Sequence, residues 1–487
     1  MSSSVGSLTI SQLKEAYLDG SLSPTDAVSD LINEIETRDS DIGAYISIDK
    51  ESALESAKNA DISKPLGGIP IAIKDLINVK GQNCSCASRI LKDSYISTYD
   101  ATAISKLKSN GAIPLGRVNM DEFAMGSSTE NSGFHITKNP WDSSRIPGGS
   151  SGGSAACVAN DTAIASLGSD TGGSIRQPAS FCGVVGLKPS YGTVSRYGLV
   201  AFASSLDQIG PVTKSSKDAA LLLSAISGKD PLDSTSIDNN DNGLFSKLDG
   251  NINGMKIGMP KEYFTDGIDS EVLKCVNKAI KNLEDLGAEI IEISLPHTEY
   301  AISTYYIIAT AEASANLARF DAVRYGNRAP DPENIIDHYI KSRSEGFGPE
   351  VKRRIILGTY VLSSGYNDAY YVKAQKVRTL IRNDFKNAFD NVDAIISPTA
   401  PTPAFKIGEM SKDPLEMYLA DIFTIAANLS GICGISTPCG FVDTSEGKSI
   451  PVGLQILGPP MKESSILRIA DAYEQSTDWL SLSLIHI

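Results

Sequence analysis

Basic charge is what this sequence is short of. Its 487 residues carry 44 Lys and Arg against 58 Asp and Glu, a net charge of −14 at pH 7. A surface that clamps a nucleic-acid backbone needs the opposite sign, so DNA binding is not expected and any RNA substrate must be held mainly by another chain. Long apolar runs are also missing. No stretch of roughly 18 consecutive apolar residues occurs, so no membrane span is expected. Residues 1–20, MSSSVGSLTISQLKEAYLDG, lack a basic region followed by an apolar one, which fits neither a secretory leader nor a transit peptide. The seven cysteines (84, 86, 157, 182, 275, 433 and 439) show no metal-ligand spacing, and Cys84-Ser85-Cys86 is too tight for a zinc knuckle, so no metal site is expected. An odd number of thiols in a chain this long fits a reducing compartment, and the cytoplasm is the expected location. Histidine is scarce, at His135, His297, His338 and His486.

What is present is an ordinary globular composition, 41% hydrophobic and 21% charged. Length alone suggests two to four domains. Apolar runs at Leu66–Ile73, Ala112–Leu115, Ala163–Leu167, Met255–Met259, Glu289–Ile293, Val392–Ile396 and Pro451–Leu457 read as strands. Helical spacing occupies 9–37, with Ser23-Pro24 as a cap and first turn, then 101–110, 270–286, 301–324, 352–389 with a break near Ser363-Ser364-Gly365, and 464–475. This βαβα rhythm predicts an α/β fold with a large mixed, mostly parallel central sheet covered by helices on both faces. Residues 227–254, rich in Asp, Asn, Ser and Gly, read as a surface linker.

The most informative stretch is 148–176, GGSSGGSAACVANDTAIASLGSDTGGSIR. Two glycine-serine clusters bracket a small apolar segment. Glycine admits close backbone approach, and a serine beside such glycines can act as a nucleophile with N–H donors already in place. The base is the open question. A Ser-His-Asp triad would need a histidine folded in from afar, and His135 lies in a loop that reads as surface. Lysine is the other option, because a desolvated ammonium loses its proton near neutral pH. Lys74 ends an apolar strand, which buries its stem and sends its head into a site or merely caps the strand.

Residues 148–179 resemble the signature of the amidase family, and Ile71-Ala-Ile-Lys74-Asp75 resembles the strand that carries that family's catalytic lysine. The resemblance implies the amidase signature fold over the whole chain as a single domain: a helical region at 1–60, a core with the signature at 61–226, the linker at 227–254, a second half with the substrate pocket at 255–478 and an atypical tail at 479–487. It implies that Ser174 is the nucleophile, that Ser150, preceded by a cis peptide, relays the proton, and that Lys74 is the base. The N–H groups of Thr171, Gly172, Gly173 and Ser174 can then form an oxyanion hole near a helix N-terminus. Asp170 and Arg176 flank the nucleophile and either orient it or brace its loop as an ion pair.

Stretches 117–130, 191–208, 312–325, 346–378 and 418–425 are similar to one branch of that family, in which the amidase works inside a tRNA-dependent amidotransferase. That similarity implies a glutaminase supplying ammonia for Gln-tRNA(Gln), and Asn-tRNA(Asn) as an open second product. By the same resemblance Arg354 takes the α-carboxylate of glutamine, Asp421 its ammonium, and Tyr305 adds a hydrogen bond. Met125 lines the pocket or belongs to the core. No cofactor is expected in this chain. The same resemblance implies partner subunits B and C in a heterotrimer, with B holding tRNA and using ATP and Mg²⁺. The competing readings are a stand-alone amidase, with an apolar pocket around residues 354 and 421, and a non-catalytic scaffold subunit. Cys84-Ser-Cys-Ala-Ser-Arg89 and the 479–487 tail depart from the family pattern without touching a catalytic position.

Overall fold

The computed structural model describes residues 4–238, 244, 248–410 and 414–479. His486 and most of the atypical tail lie outside the described residues. The strands are β1 (Tyr45–Ser47), β2 (Pro70–Lys74), β3 (Ile113–Val118), β4 (Ala165–Asp170), β5 (Val185–Lys188), β6 (Gln208–Thr213), β7 (Lys256–Pro260), β8 (Glu289–Ile293), β9 (Ala394–Pro398), β10 (Cys433–Asp443) and β11 (Ser449–Gly458). They form one sheet in the order β1-β3-β2-β4-β6-β5-β10-β11-β9-β7-β8, which joins strands from both halves of the chain.

The sheet is mixed, as expected, but the expected parallel majority is corrected. Four neighbouring pairs are parallel: β2 with β3 and β4, and β7 with β8 and β9. Six are antiparallel. All seven strands read from apolar runs are present. The four unforeseen ones, β1, β5, β6 and β10, enter five of the six antiparallel pairs. Their residues explain the oversight: β6 reads Gln-Ile-Gly-Pro-Val-Thr, and β10 contains two glycines and a proline. Glycine and proline weaken the strand signal, yet here they meet a packing need. A Cβ at Gly210 would lie 2.1 Å from the Leu187 carbonyl oxygen on β5.

Helix limits follow local chemistry. Ser23 caps Pro24–Ile42 by accepting the Asp26 N–H, and Gly43 closes that helix in the left-handed region. The helix expected over 301–324 ends as α-helix at Asn316, and the 352–389 segment divides into Pro349–Leu362 and Lys373–Phe389 around the anticipated break. Parts of the 227–254 stretch are better packed than a surface linker: Asp230, Asp233 and Ser236 are buried, and Asp230 accepts from Ser195 Oγ at 2.6 Å. Among the described residues, no helix is long and apolar enough to cross a membrane.

Parallel strands β2 and β4 lie side by side in the buried centre of the sheet. Their C-terminal ends therefore meet at one edge, where α/β sheets commonly hold their ligands. That edge presents Lys74 from β2 and Ser169-Asp170 from β4.

Candidate active site

Lys74 is fully buried, and its Nζ donates to Ser150 Oγ at 2.7 Å and Ser151 Oγ at 2.8 Å. It also reaches Ser169 Oγ at 3.0 Å and the Ser169 carbonyl at 3.3 Å. These partners are neutral, and among the described residues Lys74 forms no ion pair. Burial therefore pushes its ammonium down from the ordinary lysine value to about 7, against the fields of Asp121, Asp170 and Asp207, which favour the charged form. A lysine in that state is half-neutral at physiological pH and can take a proton from a hydroxyl.

Both principal serines sit just ahead of buried helices. Ser150 and Ser151 precede Gly152–Ala159, and Ser174 precedes Arg176–Cys182. The Gly149–Ser150 peptide is cis. Gln177 fixes the approach to it, accepting from the Gly149 N–H at 2.9 Å while its amide donates to the Ser127 carbonyl at 2.8 Å. The Ser151 N–H donates to the Ser174 carbonyl at 3.1 Å, which ties the two serine loops together. No hydrogen bond joins Ser174 Oγ to Ser150 Oγ, so the relay is assembled on its Lys74–Ser150 side. Ser174 keeps 8% of its surface exposed, where Ser150 keeps none. No histidine touches these serines among the described residues: His135 contacts the Gly43 carbonyl and His297 pairs with Asp384.

Asp170 braces the nucleophile loop. Its two oxygens accept from Arg176 Nε and Nη2, both at 3.0 Å, and both side chains are fully buried. Burial raises the carboxyl, but Arg176 outweighs it and holds Asp170 down at about 2. Arg176 is satisfied all round, donating to the Thr424 carbonyl, Gln455 and Asn428. The ion-pair reading of this couple therefore accounts for its geometry. Asp170 also accepts the Gly173 N–H at 2.8 Å. That contact corrects one expectation: Gly173 spends its N–H inside the loop, which leaves Thr171, Gly172 and Ser174 as the candidate oxyanion donors.

The more distant residues converge on the same loop. Tyr305, on Ala301–Asn316, packs so closely that a Cβ at Gly172 would lie 2.9 Å from its hydroxyl oxygen. The turn carrying Asp421 is tied to the nucleophile loop by Thr424, whose hydroxyl donates to the Gly172 carbonyl at 2.6 Å and whose N–H donates to the Asp421 carbonyl at 3.0 Å. Asp421 accepts from Ser127 Oγ through Oδ2, while its buried Oδ1 has no partner. Burial pushes its carboxyl up to about 7. Tyr305 lies within electrostatic reach of Arg354, Asp421 and Asp170 together. Arg354, on Pro349–Leu362, is 3% exposed, and its guanidinium carbon lies 5.3–5.8 Å from the ring centres of Phe202, Tyr306 and Tyr418. Aromatic rings therefore enclose the Arg354 guanidinium, while Asp421 faces the Ser127 hydroxyl. Met125 is fully buried on the loop between Asp121 and Ser127, within the main core. Among the described residues, no cluster of three or more His, Cys, Asp or Glu could hold a metal ion.

Sequence reasoning missed several participants. Ser151 and Ser169 share Lys74 but were indistinguishable among neighbouring serines. Gln177 and Ser127 lay inside stretches already singled out, with no spacing that marked them. Thr424, Asn428 and Gln455 come from the far end of the chain and carry no local signal.

The model of the amidase family matches residues 26–467. The chain is 58% identical over 475 residues to the A subunit of the glutamyl-tRNA(Gln) amidotransferase of Methylacidiphilum infernorum, covering 97% of this chain and 95% of that one. The crystal structure of the A subunit of the glutamyl-tRNA(Gln) amidotransferase from Thermotoga maritima superimposes with a TM-score of 0.80 at 43% identity, covering 97% of this chain and 95% of that one. A peptide amidase from Stenotrophomonas maltophilia superimposes with a TM-score of 0.78 at 27% identity, covering 96% of each chain.

Proposed function

This chain belongs to the amidase family, and on that premise we propose that it is the glutamine-hydrolysing subunit of a tRNA-dependent amidotransferase. It releases ammonia from glutamine, and partner subunits use that ammonia to convert Glu-tRNA(Gln) to Gln-tRNA(Gln). The partners, subunits B and C, complete the assembly; B holds the tRNA and consumes ATP with Mg²⁺. The acidic balance of this chain, −14, fits a division of labour in which tRNA is held elsewhere.

The observation that carries the reading is a fully buried lysine surrounded by hydroxyls, 2.7 Å from Ser150 Oγ. Neutral Lys74 takes the Ser150 proton, Ser150 takes the Ser174 proton, and Ser174 Oγ bonds to the amide carbon of glutamine. The carbonyl oxygen becomes an oxyanion facing the Thr171, Gly172 and Ser174 N–H groups, and one such donor is typically worth about 10²–10³ in kcat. The protons return along the same relay to the departing nitrogen, ammonia leaves, and water hydrolyses the glutamyl ester to glutamate. Arg354 receives the α-carboxylate and the unpartnered Asp421 oxygen receives the α-ammonium. Tyr305 closes the site over Gly172.

The test is ammonia release from glutamine by the chain alone and assembled with its partner subunits and tRNA. Slow release alone and faster release in the complex are expected. Fast turnover of simple aliphatic amides by the isolated chain, with no gain from the partners, would instead identify a stand-alone amidase.

A further inference from the structure

Arg354 is a buried cation, and a buried charge is tolerated only with partners. Its protein partner is Glu350, one turn earlier on Pro349–Leu362. Arg354 Nε donates to Glu350 Oε1 at 2.7 Å. Tyr418 donates its hydroxyl to the same oxygen at 3.1 Å, and Arg353 pairs with the other. Glu350 is itself buried, yet against that burial the two guanidinium groups hold its carboxyl below the usual glutamate value. The ring of Tyr418 stacks on Tyr306 at 3.8 Å, and both rings face the Arg354 guanidinium. Neither Nη of Arg354 is hydrogen-bonded among the described residues. A cavity of about 350 Å³ opens on this group, lined by Arg354, Glu350, Tyr418 and Ser128 among others.

We propose that Glu350 is a positioning residue for the α-carboxylate of glutamine, gripping Arg354 by its Nε edge so that the two Nη groups face the substrate. The inference rests on the functional reading above and deepens it. A free guanidinium can bind a carboxylate side-on through Nε and one Nη, or end-on through both Nη groups. Glu350 occupies the first mode, so the substrate is left with the second, and the bidentate fork acquires one direction. The aromatic faces keep the plane from tilting, and Tyr418 holds both the ring stack and the carboxylate. Charge balance is compatible with the role. Glu350 offsets one of the two arginines, and one positive charge remains for an incoming carboxylate.

The test uses the assembled complex carrying Glu350→Gln, which keeps the volume and an oxygen but removes the charge. Two readouts are compared: the KM for glutamine, and the Ki of 4-aminobutanamide, which is glutamine without its α-carboxylate, as a competitive inhibitor. The KM should rise about tenfold or more with kcat within about threefold, as expected when ground-state and transition-state binding are lost equally. The Ki should stay within about twofold, because that ligand does not use the Arg354 fork. An unchanged KM for glutamine, or an equal loss for both ligands, would overturn the proposal, the second by exposing a general structural role. If Glu350→Gln does not fold, Tyr418→Phe removes only the hydroxyl that steadies Glu350. It should raise the glutamine KM by about threefold, roughly the weight of one hydrogen bond, with the 4-aminobutanamide Ki unmoved. A Tyr418→Phe complex in which both constants stay unchanged, or move together, contradicts the proposal. Failure of the wild-type complex to hydrolyse glutamine at all would instead strike the functional reading.

Discussion

At the hydroxyl end of the site, Lys74 fills its contacts with Ser150, Ser151 and Ser169, and Asp170 and Arg176 are saturated by one another, by Asn428 and Gln455 and by backbone. At the proposed recognition end, Asp421 keeps an orphaned oxygen and Arg354 keeps both Nη groups open. The first region is preorganised on its Lys74–Ser150 side and around the nucleophile loop, because proton transfer requires fixed distances before substrate arrives, and leaves only the Ser150–Ser174 step to be closed. The second keeps unused hydrogen-bonding capacity, because a zwitterionic substrate must supply the missing partners. Chemistry and recognition thus differ in what the protein satisfies by itself.

The largest expected effect that sharpens this contrast is Lys74→Met, which removes the base and leaves the hydroxyls without their shared donor. Glutamine hydrolysis should fall by about 10²–10⁴ in kcat, the usual weight of general base catalysis, with KM little changed in steady-state kinetics. At the other end, Arg354→Lys replaces a fork with a point charge. It should raise the glutamine KM by about 10–100-fold while kcat holds, since an Arg–carboxylate fork is worth roughly 1.5–3 kcal/mol. A fall in kcat alone for Arg354→Lys would erase the distinction between the two regions.

The pH profile addresses both ends at once. Lys74, at about 7, must lose its proton to act as base, and Asp421, also at about 7, must lose its proton to bind an ammonium. Activity is therefore present above pH 7 and lost as pH falls through it. Below that point log kcat/KM should drop with a slope approaching 2, since two independent deprotonations are required. Asp421→Asn should lower the overall level and reduce the slope to about 1, reporting Lys74 alone. The smallest effect is expected from Met125→Leu. Met125 is core-packed and a volume-conserving swap usually costs under about 1.5 kcal/mol of stability, so thermal melting should shift slightly and glutamine kinetics should not.

The same contrast governs what the sequence could disclose. The glycine-serine clusters and Lys74 were legible as candidates because tight geometry requires glycines and small residues at fixed spacing, which writes a motif into the chain, while the division of roles among Lys74, Ser150 and Ser174 came from the amidase resemblance. Arg354, Asp421 and Tyr305 could be named by resemblance alone, since a lone Arg on a helix or a lone Asp in a turn reads as surface. Glu350 was invisible for a sharper reason. An acid four residues before an arginine on a helix is an ordinary surface pair, and only the aromatic faces around Arg354 turn it into a buried one. In the fold, apolar runs disclosed seven strands, whereas β5, β6 and β10 hide behind glycine and proline demanded by close packing. That is why a parallel majority was expected and an antiparallel one was found.

The central claim is that Ser174 is the nucleophile of a glutaminase whose ammonia feeds a separate amidation. The most direct measurement is Gln-tRNA(Gln) formation by the assembled complex carrying Ser174→Ala, with glutamine or with ammonium chloride as nitrogen donor. The account predicts that glutamine-dependent formation falls by at least about 10³-fold, as expected on losing a nucleophile, while ammonium-dependent formation is preserved. Glutamine-dependent formation that survives the substitution, or ammonium-dependent formation that is lost with it, would contradict the account.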